Sequence, residues 1–204
     1  MRRELALFVG AGGGLLAGKL LGLEPVGYVE WDAYCQEVLE ARIRDGVLAA
    51  APIFGDIRAF LREGIARSYR GVADVVTAGF PCPSFSVAGK RLGGEDERNM
   101  WPETIGVLRD VRPKLALLEN AAGLASHEYF GTVLGDLAFE GFDSEWGMLR
   151  ASDVGAPHER NRIWIAAWPR DLPDAERNGI REFAERRLSG EAFGGDSGAG
   201  DDGA

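Results

Sequence analysis

Leu5-Ala6-Leu7-Phe8-Val9-Gly10-Ala11-Gly12-Gly13-Gly14 places a strand, a turn and the start of a helix in one short run. Residues 4–9 alternate little, which is the pattern of a parallel strand buried on both faces. Gly10–Gly14 is a turn of small residues, and Leu15–Leu21 reads as the helix it opens. Val26–Val29 is a second strand, and Asp32 after it is placed to cap a helix over 33–44. Pro52–Phe54 is a short third strand, followed by Gly55-Asp56-Ile57 and a helix over 58–67. Asp74–Ala78 is a fourth strand, and residues 79–98 form a long loop. A helix over Trp101–Val111 is stopped by Pro113, and Lys114–Leu118 is a strand that ends at Glu119-Asn120. A helix over Tyr129–Phe139 ends at Gly141, and two late strands cover 142–149 and 162–167. This alternation predicts an α/β fold: a doubly wound, mostly parallel sheet with helices on both faces.

The chain has 204 residues, enough for one such domain with a real core. Its first apolar run is too short for a signal peptide, and no run is long enough to span a membrane, so a cytoplasmic protein is expected. Two cysteines and two histidines make neither a disulfide framework nor a metal site. The net charge of −9 argues against a nucleic-acid partner when taken as a sum. Its distribution matters more. Lys90-Arg91, Arg160 with Arg162, and Arg186-Arg187 are local cation clusters, while acids crowd the last residues. The strand–helix pattern decays near Pro169. Three regions are expected: a catalytic-sized domain over 1–168, a charged helical extension over 169–188, and an acidic, Gly-rich, disordered tail over 189–204.

Glu30, Asp56, Cys82 and Glu119 each stand at the carboxyl end of an expected strand, the edge where open α/β sheets bind ligands. The Gly turn with Glu30 twenty positions on suits a nucleoside-type cofactor, the carboxylate taking ribose hydroxyls; the alternative is a turn that is merely tight. Asp56 could accept from an adenine amine, and Trp31 offers either a stacking face or a core contact. Cys82 sits on a loop with prolines on both sides, a placement for nucleophilic chemistry, although most buried thiols are inert. Cys35, inside an expected helix, is assigned to the inert class. Glu119 ends an apolar strand, where partial desolvation would raise its pKa and suit a general acid, unless Glu119-Asn120 is only a turn pair. Arg160 and Arg162, as alternate residues entering a strand, point to one face and could hold one anionic or carbonyl ligand; the alternative is a solvated strand edge.

These pieces in this order resemble the DNA (cytosine-5) methyltransferase family over roughly residues 5–167. Phe8-Val9-Gly10-Ala11-Gly12-Gly13, Glu30-Trp31-Asp32 and Gly55-Asp56-Ile57 are similar to its cofactor motifs. Gly79-Phe80-Pro81-Cys82 with Phe85-Ser86 and Gly89-Lys90 is similar to its catalytic loop. Glu119-Asn120 and Pro157-His158-Glu159-Arg160-Asn161-Arg162 are similar to two further motifs, with Ala121 and His158 departing from the usual residues.

The resemblance implies a Rossmann-like, S-adenosylmethionine-dependent fold acting on double-stranded DNA, with S-adenosylhomocysteine as product. Phe8, Gly10, Gly12, Glu30, Trp31, Asp56, Ile57, Pro81 and Met100 would line the cofactor pocket. Cys82 would attack cytosine, Glu119 would protonate it, Arg160 and Arg162 would hold it, and Asn120 would brace the Pro81-Cys82 loop. Ser86, Lys90 and Arg91 would meet DNA phosphates. The resemblance implies a role in restriction–modification or phage self-protection. No target-recognition region is evident, so a second reading is a module that relies on another polypeptide for DNA recognition. A third, resting only on the Gly turn and Glu30, is a nicotinamide-dependent oxidoreductase.

Overall fold

The computed structural model describes residues 2–82 and 98–188. Seven strands alternate with helices along the chain: β1 (Arg2–Leu7), β2 (Leu23–Val29), β3 (Ile53–Phe54), β4 (Val75–Ala78), β5 (Leu115–Ala121), β6 (Phe142–Leu149) and β7 (Arg162–Pro169). The helices are α1 (Gly13–Leu20), α2 (Ala33–Arg44), α3 (Ile57–Arg62), α4 (Ile65–Ser68), α5 (Trp101–Val111), α6 (Tyr129–Phe139) and α7 (Asp174–Leu188). The strands form one sheet in the order β3-β2-β1-β4-β5-β7-β6. The first five in that order are parallel to one another, and β7 runs antiparallel to both β5 and β6. The order reverses direction at β1, so the chain winds one way from β1 to β3 and the other way from β4 onward. This is the doubly wound arrangement expected from the sequence.

Strand alternation sends side chains to two faces. Leu5, Leu7, Val76, Ala78, Leu118 and Ile165 join the larger core with Phe60, Trp101, Leu108 and Leu137 from the helices on that side. Ala6 and Tyr28 face the other way and meet Leu15 of α1 and Leu39 of α2. Trp101 is 1% exposed, and its indole Nε1 donates to Asp136 Oδ2 at 2.8 Å, which satisfies the only polar atom on the ring. Asp32 caps α2 as expected, its Oδ1 accepting from the Cys35 amide at 2.9 Å. Two expectations are corrected. The helix over 58–67 is two short helices, because Gly64 turns to φ 73° between them. β5 also does not stop at Leu118. It continues to Ala121 because β7 pairs with it, Glu119 opposite Trp164 and Ala121 opposite Arg162.

Contacts divide the chain into one unit over Met1–Asp171 and a second over Leu172–Ala204, of which α7 is described.

Glu4 is an acid inside β1, only 1% exposed. Its Oε1 accepts from Thr77 Oγ1 at 2.6 Å, while its Oε2 has no hydrogen-bond partner among the described residues. Burial therefore raises its pKa, and the Thr77 hydrogen bond only partly opposes that. A carboxyl raised in the folded state stabilises the fold fully below its unfolded pKa of about 4.3, and this contribution is lost as pH rises through the folded value. Glu4→Gln removes that dependence. Urea unfolding at a series of pH values should find the variant gaining on the wild type above about pH 4.3, by at most about 1.4 kcal/mol per pH unit. A difference that stays flat with pH would contradict the burial argument.

Candidate active site

The strand register aligns the chemistry. Phe54 pairs with Val29, Val29 with Leu7, Leu7 with Ala78, and Ala78 with Leu118, a single row across five parallel strands. The residues that follow this row are Gly55, Glu30, Phe8, Gly79 and Glu119. They emerge together at the carboxyl edge, with Asp56 and Cys82 within a few residues.

At the first crossover, Phe8 and Gly10 both take left-handed backbone, φ 53° and φ 56°. For Phe8 this is a strained conformation. A side chain built on Gly10 would meet nothing within 4 Å, so the space over the turn is open to a ligand. Gly12, at φ 91°, supplies the N-cap of α1. Glu30 is 8% exposed and locks this turn to the end of β2. Its Oε2 accepts from the Gly10 amide at 2.6 Å and its Oε1 from the Asp32 amide at 2.8 Å. Gln36, which sequence reasoning passed over, donates through Nε2 to the Glu30 carbonyl at 2.7 Å. Its signal was its position one turn into the helix that Asp32 caps.

Asp56 caps α3, with Oδ1 accepting from the Arg58 amide at 2.8 Å. Ile57 points into the larger core. Trp31 is 77% exposed, so of its two readings the core contact is excluded. Cys35 is half-buried rather than a core residue, because it lies on the first turn of α2. Partial burial, followed by the Asp32 carboxylate beside it, raises its thiol pKa, which favours the protonated form.

Cys82 is a half-buried, reduced thiol that packs against the larger core, as does Met100. The stem that carries it is held at two consecutive carbonyls. Asn120 Nδ2 donates to the Phe80 carbonyl at 2.9 Å, and the Met100 amide donates to the Pro81 carbonyl at 3.0 Å. Asn120 is 7% exposed, and its Oδ1 accepts from the Ala121 amide at 2.8 Å, so both ends of its amide are used. Asn99 and Tyr129 complete this region, although Asn99 lies outside every element expected from the sequence and Tyr129 was expected only to start a helix. Asn99 Nδ2 donates to Tyr129 Oη at 2.6 Å.

Glu119 is half-buried and paired with Arg162, with Nε to Oε1 2.6 Å. A Cβ on Gly79 would stand 3.2 Å from Glu119 Oε2, so the glycine is what lets the carboxylate approach the neighbouring strand. Arg160 is exposed and lies before β7 with φ 36°. Strand alternation therefore does not apply to it, which corrects the expected reason for its orientation. Arg160 and Arg162 nevertheless line one cavity of about 620 Å³ together with Phe8, Gly79 and Glu119. Glu30, Asp56 and Cys82 are not among its lining residues. Ser86, Lys90 and Arg91 lie outside the described residues. Among the described residues, no group of three or more His, Cys, Asp or Glu could hold a metal ion, and no helix is long and apolar enough to cross a membrane.

The C-5 cytosine-specific DNA methylase family matches residues 3–190. The type II methyltransferase M.NgoMIV of Neisseria gonorrhoeae is 34% identical over 167 residues, 80% of this chain and 51% of that protein. M.HhaI of Haemophilus parahaemolyticus is 33% identical over 177 residues, 83% of this chain and 50% of that protein. The chain thus spans about half the length of the curated relatives it matches. Among solved structures, a Spodoptera frugiperda DNMT2 variant superposes with a TM-score of 0.67 at 24% identity, over 84% of this chain and 51% of that one. A putative DNA modification methyltransferase encoded within an Escherichia coli prophage superposes with a TM-score of 0.65 at 22% identity, over 84% of this chain and 48% of that one. These likenesses carry the fold, and the extent of the sequence match carries the assignment: the chain belongs to the C-5 cytosine-specific DNA methylase family.

Proposed function

We propose that this chain transfers a methyl group from S-adenosylmethionine to carbon 5 of cytosine in double-stranded DNA, through a covalent adduct between Cys82 and carbon 6. The observation that carries the reading is the row of strand ends, which brings the Cys82 stem, Glu119 and Arg162 to the edge that also holds the Gly turn and Glu30.

The donor set fits the cofactor. The Glu30 oxygens each take one backbone amide and keep a lone pair for a ribose hydroxyl. Asp56 has one oxygen committed to the cap of α3 and the other available to an adenine amine. Phe8, Gly10, Gly12, Trp31, Ile57, Pro81 and Met100 would complete the pocket. When bound, S-adenosylmethionine supplies an electrophilic methyl group and leaves as S-adenosylhomocysteine.

Cytosine carbon 5 is a poor nucleophile until carbon 6 is saturated. The base must leave the duplex for that to happen. Cys82, as thiolate, adds to carbon 6, and the displaced electron pair moves toward ring nitrogen 3. Glu119 delivers a proton to that nitrogen, leaving a neutral enamine whose carbon 5 takes the methyl group. Arg162 orients the Glu119 carboxyl, and Arg160 and Arg162 hold the base and its developing charge. A base then removes the proton from carbon 5, the electrons of that bond expel the Cys82 sulfur as thiolate, and ring nitrogen 3 returns its proton to Glu119. Asn120 holds the Phe80 carbonyl so that the thiol is presented at a fixed height. Ser86, Lys90 and Arg91 would meet the DNA phosphates. The type II relatives point to a place in restriction–modification, in the cytoplasm where the DNA is.

The net charge of −9 favours a further element of this reading, that another polypeptide supplies target recognition and much of the DNA affinity. The nicotinamide alternative leaves Cys82, Glu119 and Arg162 without a task.

Duplex DNA carrying 5-fluorocytosine tests the chemistry, because fluorine cannot be removed as a proton and the adduct stays trapped. Wild type should form a Cys82-linked product, and Cys82→Ala should not. Glu119→Gln should slow adduct formation by about 10²–10⁴-fold, the range for loss of a general acid. If the chain binds S-adenosylmethionine yet gives neither adduct nor methylated cytosine, the enzyme reading fails for this chain alone. Asn120→Ala should unfold about 1–3 kcal/mol more easily by leaving the buried Phe80 carbonyl unpaired. Its adduct formation should slow while S-adenosylmethionine affinity, read by calorimetry, stays near wild type.

A further inference from the structure

Residues on both sides of the segment 83–97 are joined beneath the thiol. The Met100 amide donates to the Pro81 carbonyl at 3.0 Å, one residue before Cys82. Met100 is itself the N-cap of α5, and its carbonyl accepts from Thr104 Oγ1 at 2.7 Å. Asn99, directly before it, is 4% exposed and acts in two directions. Its Oδ1 accepts from the Trp101 amide at 3.2 Å, which supplies a partner for an otherwise open amide at the start of α5. Its Nδ2 donates sideways to Tyr129 Oη at 2.6 Å, at the first residue of α6. The chain of contacts therefore runs from Tyr129 to Asn99, along one peptide to Met100, across to Pro81, and along one peptide to Cys82. Trp101 makes the same crossing deeper down, with its indole bonded to Asp136 of α6 and its ring 5.2 Å from Phe80.

We propose that Asn99 and Tyr129 are positioning residues for Cys82: their hydrogen bond pins the Asn99-Met100 stem to α6, and that stem holds the Pro81 carbonyl and hence the height and direction of the sulfur. The proposal rests on the reading of Cys82 as the nucleophile and adds two residues to its support. Tyr129 is not interchangeable with an apolar residue here. Its ring packs against the larger core, as Cys82 and Met100 do, while its oxygen accepts the Asn99 proton. Burial, above all, raises the phenol pKa, and Cys82 contributes to the same rise, so the hydroxyl stays protonated near neutral pH and sits within electrostatic reach of the sulfur. Attack on carbon 6 needs the sulfur placed to within a fraction of an ångström, and a displacement of about 1 Å is enough to cost about 10²-fold in rate.

The variants are Tyr129→Phe, which removes the acceptor and keeps the ring, and Asn99→Asp, which keeps the Oδ1 cap and removes the Nδ2 donor. Each should slow adduct formation with saturating 5-fluorocytosine duplex by about 10–100-fold. S-adenosylmethionine affinity should fall by less than the adduct rate, since Met100 and Pro81 are only two of the residues that would line its pocket whereas Cys82 alone attacks the base. The double variant should be no slower than the worse single one, because both remove the same bond. Alkylation by iodoacetamide, followed by mass spectrometry at each cysteine, gives a readout that needs neither DNA nor cofactor. Cys82, released from its stem, should react about three- to ten-fold faster, while Cys35 on α2 keeps its wild-type rate. An unchanged adduct rate, additive losses in the double variant, or Cys35 accelerating in step with Cys82 would each overturn the proposal. If wild type forms no adduct at all, the methyltransferase reading fails, and the two alkylation rates still decide whether Asn99 and Tyr129 position the thiol.

Discussion

Parallel pairing of five strands in one register row is the constraint on which the site depends. A one-residue slip between β1 and β4 would carry Gly79 away from Phe8 and turn every side chain of the slipped strand to the other face. Val76 and Ala78 would then leave the larger core if β4 slipped, or Leu5 and Leu7 if β1 did, so burial itself holds the register. The same apolar packing that stabilises the sheet thereby places Glu30, Phe8, Gly79 and Glu119 at one height. Chemistry at the edge needs no separate device to bring its parts together, only short turns that leave each strand at the same level.

The second requirement is that those turns stay where the row puts them. Here the structure uses buried amides rather than apolar contact. Asn120 spends its donor on the Phe80 carbonyl and its acceptor on the Ala121 amide, which ties the exit of β4 to the exit of β5. Glu30 does the same for the Gly turn and the exit of β2, with two charge-assisted bonds. Both groups are almost fully buried, so each bond carries the larger weight that hydrogen bonds have away from water. The strain at Phe8 is held by this network, since its amide also bonds to the Val29 carbonyl at 2.8 Å.

The strands and most helices were legible because hydrophobic period and turn residues agree along the chain, as for Trp101–Val111 between its neighbours and Pro113. The positions of Glu30 and Glu119 at the carboxyl edge were legible for the same reason, since each is a polar residue that interrupts an apolar run. What escaped were features set by tertiary partners. The extension of β5 through Glu119 and Asn120 follows from pairing with a strand more than forty residues later. Glu4 is enclosed by β2 and β4 on either side, by Thr77, and by Gly18, whose Cβ would stand 3.0 Å from it. The Asn99–Tyr129 bond joins residues thirty apart, and nothing local marks the pair.

The antiparallel direction of β7 has a chemical consequence. A parallel strand delivers its carboxyl end to the site edge, and the residues it contributes come after it. β7 runs the other way, so the residues that precede it arrive there instead. Arg162 opens the strand opposite Ala121, and its Nε reaches across to Glu119, which faces Trp164 two residues further in. Arg160 enters from the same side and lines the same cavity. A guanidinium on a loop would share the loop's freedom. One anchored by β5 on one side and β6 on the other carries the precision of the sheet, since Arg162 is also paired with Leu149. The carboxylate and the arginine that face each other, 2.6 Å apart, thus come from strands of opposite direction.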